Sequence, residues 1–161
     1  GESAGGGLCA ALCIKARDTG AVNVAFQMPL YPMLDDRETE TSRDNHGKVW
    51  NTGATGLLVL LSAGVKQGDL SPYAAPARLT DFSDLPPAYT FVGDGEPFYA
   101  ETVQYVENLK KSGIPASMDV YCSDMHAFDV MQPDTPLSRE ADRRFNEQFA
   151  YAQAHYFAAQ G

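Results

Sequence analysis

The pattern of apolar and polar positions changes period several times along the chain, and each change marks an element. Residues 4 to 18, which include Leu8, Ala10, Leu12, Cys13 and Ile14, are apolar around most of a helical wheel and predict a buried helix. Gly20 follows as its stop. Residues 21 to 28 read as a strand ended by Pro29. Residues 30 to 52 lose any period, carry the run Asp35-Asp36-Arg37-Glu38, and predict a long surface excursion that shapes a pocket. A short helical run is expected over residues 54 to 63, then a loop over residues 71 to 78.

Leu85-Pro86-Pro87 leads into a second strand over residues 88 to 93. Residues 97 to 112 predict an amphipathic helix with Val103, Val106 and Leu109 inward and Lys110-Lys111 at the end favoured by its dipole. Gly113-Ile114-Pro115 is a Schellman-like stop, and residues 116 to 121 form a third strand. The last helix starts at Thr135-Pro136 or Ser138, and its stripe of Ala141, Phe145, Phe149, Ala152 and Tyr156 is expected to face the core. Helices alternating with short apolar strands imply an α/β fold with a parallel sheet and right-handed crossovers. No repeat and no linker breaks the pattern, so residues 1 to 161 read as a single domain.

Composition narrows the function classes. At 161 residues, 44% hydrophobic and 20% charged, the chain is globular rather than disordered. No apolar run is long enough to span a membrane. A net charge of −9 argues against nucleic acid as a partner. The three cysteines, Cys9, Cys13 and Cys122, lack framework spacing, which suggests a reducing, cytoplasmic compartment. Cys9 and Cys13 share one helix face but have no further metal ligands nearby, so they read as small buried apolar residues.

The chemistry begins at Gly1-Glu2-Ser3-Ala4-Gly5, a G-x-S-x-G pattern leading straight into the first helix. A nucleophilic serine on a tight strand-to-helix turn needs small neighbours, and a side chain at either glycine is expected to collide with adjacent elements. The helix start aims N–H groups at a developing oxyanion. The plain alternative is that Ser3 is a helix N-cap. Two further loops follow predicted strands: Gly93-Asp94-Gly95-Glu96-Pro97-Phe98 and Ser123-Asp124-Met125-His126-Ala127-Phe128. Serine, acid and histidine occur in the α/β-hydrolase chain order, with the acid and the histidine each at the carboxyl end of a predicted strand. His46 and His155 lie among polar or small residues and read as solvated, as does the acidic run at residues 35 to 38. Trp50 and Phe98 read as core or pocket wall.

These residues together resemble the hormone-sensitive-lipase-like branch of α/β-hydrolase carboxylesterases. The likeness rests on Gly1 to Gly7, on Pro29-Leu30-Tyr31-Pro32 followed by Asp35-Asp36, and on Ser71-Pro72, Leu85-Pro86-Pro87, Gly113-Ile114-Pro115 and His126-Ala127-Phe128. It implies Ser3 as nucleophile, His126 as general base, an acid that orients the histidine, and an acyl-enzyme formed from small, short-chain esters. It also implies that neither cofactor nor metal is required. In this family an aspartate usually precedes Pro-Leu or Pro-Phe; here Glu96 precedes Pro97-Phe98, which favours Glu96 over Asp94 as the acid. Glycine more often follows the histidine, where this chain has Ala127. The family's His-Gly-Gly-Gly oxyanion loop, first strands and cap are not found in residues 1 to 161, leaving the Ala4 N–H as the recognisable oxyanion donor.

The chain therefore reads as the C-terminal portion of an α/β-hydrolase fold, with the nucleophile elbow at its N-terminus. The strand at residues 22 to 28 is expected to present an open edge, covered by an N-terminal part or by another chain in an oligomer. Residues 1 to 161 alone are expected to show no useful esterase activity. Two rival readings are a ligand-binding homologue of the gibberellin-receptor kind, in which the triad no longer works, and an amidase-like hydrolase using the same triad.

Overall fold

Residues 88 to 93 are β-branched, aromatic or small throughout, which suits a strand buried on both faces. The computed structural model, which describes residues 1–53 and 70–160, places β1 at Ala88–Gly93 with every residue buried. β1 pairs in parallel with β2, Ala116–Tyr121, in a register that sets Ala88 opposite Ala116 and Gly93 opposite Tyr121. Among the described residues, the helices with defined bounds are, in chain order, α1 (Ala4–Thr19), α2 (Tyr99–Lys111), the short α3 (Phe128–Met131) and α4 (Pro136–His155). A 3-10 turn occupies Pro76–Arg78. The helical run expected at residues 54 to 63 lies outside the described residues.

The predicted strand at residues 21 to 28 is not a regular strand. An extended segment instead passes through Pro29, beside β1, and only isolated bridges form: Gln27 to Ala88, and Glu2 to Leu30. The cause is the proline. Gln27 N–H donates to Pro87 O, Tyr89 N–H to Gln27 O, and Tyr31 N–H to Phe91 O. The rung between these would need an N–H from residue 29, which proline lacks. The Thr90 hydroxyl donates to the Pro29 carbonyl and so satisfies that group. On its other side the segment meets residues 1 to 3: Leu30 N–H donates to Gly1 O and Ser3 N–H to Leu30 O. Farther back, the Asn23 N–H and Nδ2 donate to Gln160 Oε1 and Ala159 O, and Phe26 stacks on Tyr156.

Successive strand residues point to opposite faces, so β1 feeds two cores. Ala88 joins Ala10 and Ile14 of α1, Tyr105 and Leu109 of α2, and Leu34, Phe82 and Leu85. Tyr89 and Phe91 pack with Tyr31, Tyr121, Phe128 and Ala141 of α4. The helix stops are as the sequence implies. Gly20 is left-handed and closes α1. Gly113 at φ 77° donates its N–H to Lys110 O while Ile114 donates to Leu109 O, a full Schellman motif. Thr135 caps α4 by accepting from Ser138 N–H, and Arg144 ties α4 to Asp119 of β2.

Three burial expectations are corrected. α1 is not buried all round: Leu8 and Leu12 lie open to solvent, while Gly6, Gly7, Ala10, Ala11, Cys13 and Ile14 face inward. α4 buries Ser138, Ala141 and Ala152, but Phe149 is about half exposed beside Ala25, Phe26 and Tyr156. The acidic run is not simply solvated either: Asp36 pairs with Arg78 of the 3-10 turn at 2.6 Å with both side chains largely covered. Among the described residues, no helix is long and apolar enough to cross a membrane.

A buried carboxyl holds the loop after residue 31. Glu101 of α2 accepts from the Leu34 N–H at 2.6 Å and the Asp35 N–H at 3.3 Å. Burial pushes it up to about 8, against the two N–H donors that favour its ionised form. Glu101→Ala should cost about 1–3 kcal/mol, because it orphans buried N–H groups. Glu101→Gln keeps an acceptor there and stays neutral. The wild type binds its proton more tightly folded than unfolded, so its stability falls as pH rises from 4.5 towards 8. The glutamine variant should therefore gain on the wild type across that window. Urea unfolding at pH 5 and pH 9 checks both expectations, and a glutamine variant that loses ground on the wild type between those two pH values would refute the second.

Candidate active site

Ser3 sits where the extended stub of residues 1 to 3 turns into α1, with φ 53° and ψ −123°. Such backbone is sparsely populated for a residue with a Cβ and costs on the order of 1–3 kcal/mol. The Ser3 side chain makes no capping bond to the helix, unlike an N-cap serine. Its Oγ instead lies 2.8 Å from His126 Nε2.

His126 follows β2 on the loop that enters α3 and is almost fully buried. Its Nδ1 is bonded to Glu96 Oε2, and Glu96 is itself fully buried. Glu96 stands in the turn after β1, where its Oε1 also accepts the Gly93 N–H at 3.2 Å. Burial pushes the Glu96 carboxyl up, and its hydrogen bond to His126 opposes that. Asp94 points elsewhere: it is exposed and its Oδ1 accepts the Ser123 N–H. The Ala4 N–H lies in the first turn of α1, where helix geometry supplies no intrahelical acceptor.

The walls around His126 are aromatic. Phe98 meets the imidazole edge to face at 4.9 Å and Tyr31 at 5.1 Å, while Trp50 is tilted at 6.2 Å. Low polarity on three sides favours bonds directed only along the two ring nitrogens. Ala127 after the histidine is left-handed, at φ 56°, which explains why a glycine would suit that position. The charged excursion contributes more than surface. The Thr41 hydroxyl donates to Pro97 O and accepts from the Ala100 N–H, and Asn45 Nδ2 donates to Gly95 O, so both brace the turn that carries Glu96. His46 and His155 are exposed and take no part in the site.

Sequence reasoning missed Thr41, Asn45 and a contact of the Tyr31 hydroxyl with Asp129 Oδ2 at 3.2 Å, because each joins segments far apart in the chain. It also misplaced the reason for the elbow's glycines. A Cβ on Gly1 would come within 2.3 Å of Gly5 O, as expected, but one on Gly5 would meet nothing within 4 Å among the described residues. The tightest approach in the following helix is at Gly7, where a Cβ would stand 2.1 Å from Met33 O.

Residues 1–130 match the family described as alpha/beta hydrolase fold. Esterase LipI of Mycobacterium tuberculosis is 29% identical over 149 residues, covering 89% of this chain and 46% of that protein. Among solved structures, a bacterial heroin esterase superposes with a TM-score of 0.83 at 32% identity, over 89% of this chain and 47% of its own. Esterase LipW from Mycobacterium marinum superposes with a TM-score of 0.86 at 26% identity, over 94% and 48%. The chain thus spans about half the length of the relatives it matches.

The glycine contacts yield a direct test. Gly7→Ala should destabilise by at least about 3 kcal/mol, because the Cβ meets backbone that cannot swing aside. Gly5→Ala should be tolerated and gain up to about 1 kcal/mol from helix propensity. Denaturant melts of the two variants would show them equal if the close approach of α1 to residue 33 were not limiting.

Proposed function

The chain belongs to the alpha/beta hydrolase fold family, and on that premise we propose that it carries the nucleophile, base and acid of a carboxylic ester hydrolase. The observation that carries this reading is the Ser3 Oγ to His126 Nε2 contact of 2.8 Å, backed by the buried Glu96 on Nδ1. In the proposed reaction His126 removes the Ser3 hydroxyl proton as Oγ bonds to the ester carbonyl carbon. The oxyanion that forms points to the Ala4 N–H. His126 then returns the proton to the departing alcohol, leaving an acyl group on Ser3. Water, deprotonated by the same imidazole, releases the acid. Glu96 keeps the Nδ1 proton in place and stabilises the imidazolium. The chemistry as written draws only on side chains and backbone N–H groups. The relatives' names favour esters over amides, and the resemblance favours small, short acyl groups.

In the intact protein, Ser3→Ala and His126→Ala should each cut p-nitrophenyl acetate turnover by at least about 1000-fold while preserving the fold. Glu96→Gln should lose on the order of 10³–10⁴ in kcat, because the wrong tautomer is then allowed. Asp94→Asn should stay within about threefold, since an asparagine oxygen still accepts the Ser123 N–H. Ser3→Ala turnover within tenfold of wild type would sink the assignment. Failure of a fluorophosphonate to label Ser3 would favour a ligand-binding homologue. Faster cleavage of the matching anilide would favour an amidase.

A further inference from the structure

A second acidic cluster adjoins the candidate site. The Tyr31 hydroxyl lies 2.8 Å from Glu2 Oε2 and 3.2 Å from Asp129 Oδ2. A phenol has one proton to donate, and an ionised carboxylate has none. If both acids were ionised, one of these two contacts would set a phenol lone pair against a carboxylate oxygen. A proton on one acid turns both contacts into hydrogen bonds. We propose that Glu2, Tyr31 and Asp129 form one hydrogen-bonded unit that holds a single shared proton on Asp129, and that this unit positions Ser3 against His126.

Burial decides which acid carries the proton. Glu2 is exposed, whereas Asp129 is partly buried and its Oδ1 is out of solvent with no partner among the described residues. An unpartnered ionised oxygen costs more than an unpartnered neutral one. Burial is the largest influence on Asp129 and pushes its carboxyl up, with a smaller push from the Glu2 charge, against the Tyr31 hydroxyl and the Val130 and Asp129 N–H groups, which favour the ionised form. Burial likewise raises the Tyr31 phenol, so it keeps its own proton. The other groups facing Asp129 do not neutralise it. Glu96 and His126 occupy the triad side. Arg139 and Asp142 of α4 lie across a cavity of about 330 Å³, and the carboxylate that Arg139 meets is Asp134.

The unit spans the two loops that must stay in register. Glu2 directly precedes Ser3, and Asp129 stands three residues after His126 in α3. Tyr31 bridges them while its ring edge lies against the imidazole. Its backbone is left-handed, at φ 32°, a strained state for a fully buried aromatic residue that the surrounding packing has to hold. Asp129 OH to Tyr31 Oη, and Tyr31 OH to Glu2, thus form a path of bonds parallel to the Ser3–His126 contact.

The positioning role rests on the proposed hydrolysis; the proton count does not, so the test has two arms. The first is unfolding against pH for wild type and Asp129→Asn in the intact protein. A carboxyl raised in the folded state binds more protons folded than unfolded as pH climbs above 3.8. Wild-type stability should then fall relative to the asparagine variant, by up to about tenfold in the unfolding constant per pH unit, until the folded value is passed. A difference that stays flat with pH, or one of opposite slope, overturns the shared proton. The second arm is kinetic. Asp129→Asn should keep wild-type kcat at neutral pH, since its amide can still donate to Tyr31. Asp129→Ala should lose on the order of tenfold in kcat with KM little changed. Equal loss in both variants, or none in either, overturns the positioning role. An intact protein that hydrolyses no ester or amide at all would retire the hydrolase reading and the positioning role with it, while leaving the first arm intact.

Discussion

The whole arrangement depends on the parallel alignment of β1 between β2 and the extended segment that ends at Tyr31. Parallel neighbours finish at the same edge of a sheet, so the loops that leave them meet there. The stub of residues 1 to 3 runs the same way beside Leu30. Four stretches distant in sequence are thereby delivered to one place: the elbow with Ser3, the bend at Tyr31, the turn with Glu96, and the loop with His126. A slip of one residue between β1 and β2 would turn alternate side chains to the wrong face and dissolve both cores. The full burial of β1 makes that slip costly.

The delivery is completed by strained and crowded backbone. Four non-glycine residues among those described have positive φ, and three of them, Ser3, Tyr31 and Ala127, surround His126. Such strain persists only where the surroundings over-determine it. The crowding is visible at Gly7 against Met33 and at Gly93 against Ser123, where backbones approach too closely for any Cβ. Tyr31 and Met33 both sit in the bend that follows Pro29. Its missing rung is thus compensated by packing against α1 and by the Thr90 hydroxyl.

A strongly acidic chain would be expected to keep its carboxyls in water. Three of them, Glu96, Glu101 and Asp129, are instead held in or beside the core, and burial raises all three. Each meets a different partner. Glu96 faces an imidazole, Glu101 faces two backbone N–H groups, and Asp129 faces a phenol. The ion pairs do another task and hold elements together: Asp36 with Arg78 across a loop, and Asp119 with Arg144 between β2 and α4.

What the sequence could determine by itself was whatever depends on near neighbours. Strand boundaries at residues 88 to 93 and 116 to 121, the Gly20 and Gly113 stops and the Thr135 cap were legible because period, turn chemistry and capping act within a few residues. The elbow, acid turn and histidine loop were legible for the same reason, as short motifs next to those elements. Distances across the chain were not. That Pro29 would remove one rung and leave bridges in place of a strand depended on what lay beside it. That Phe149, Leu8 and Leu12 would be exposed depended on which faces found neighbours. Glu96 and Asp94 sit two residues apart with similar chemistry, and the fold turns one into the core and the other to Ser123. Tyr31 meets Asp129 across 98 positions, and no local pattern encodes that contact. It exists because parallel strands end together, and that is a property of the packed sheet.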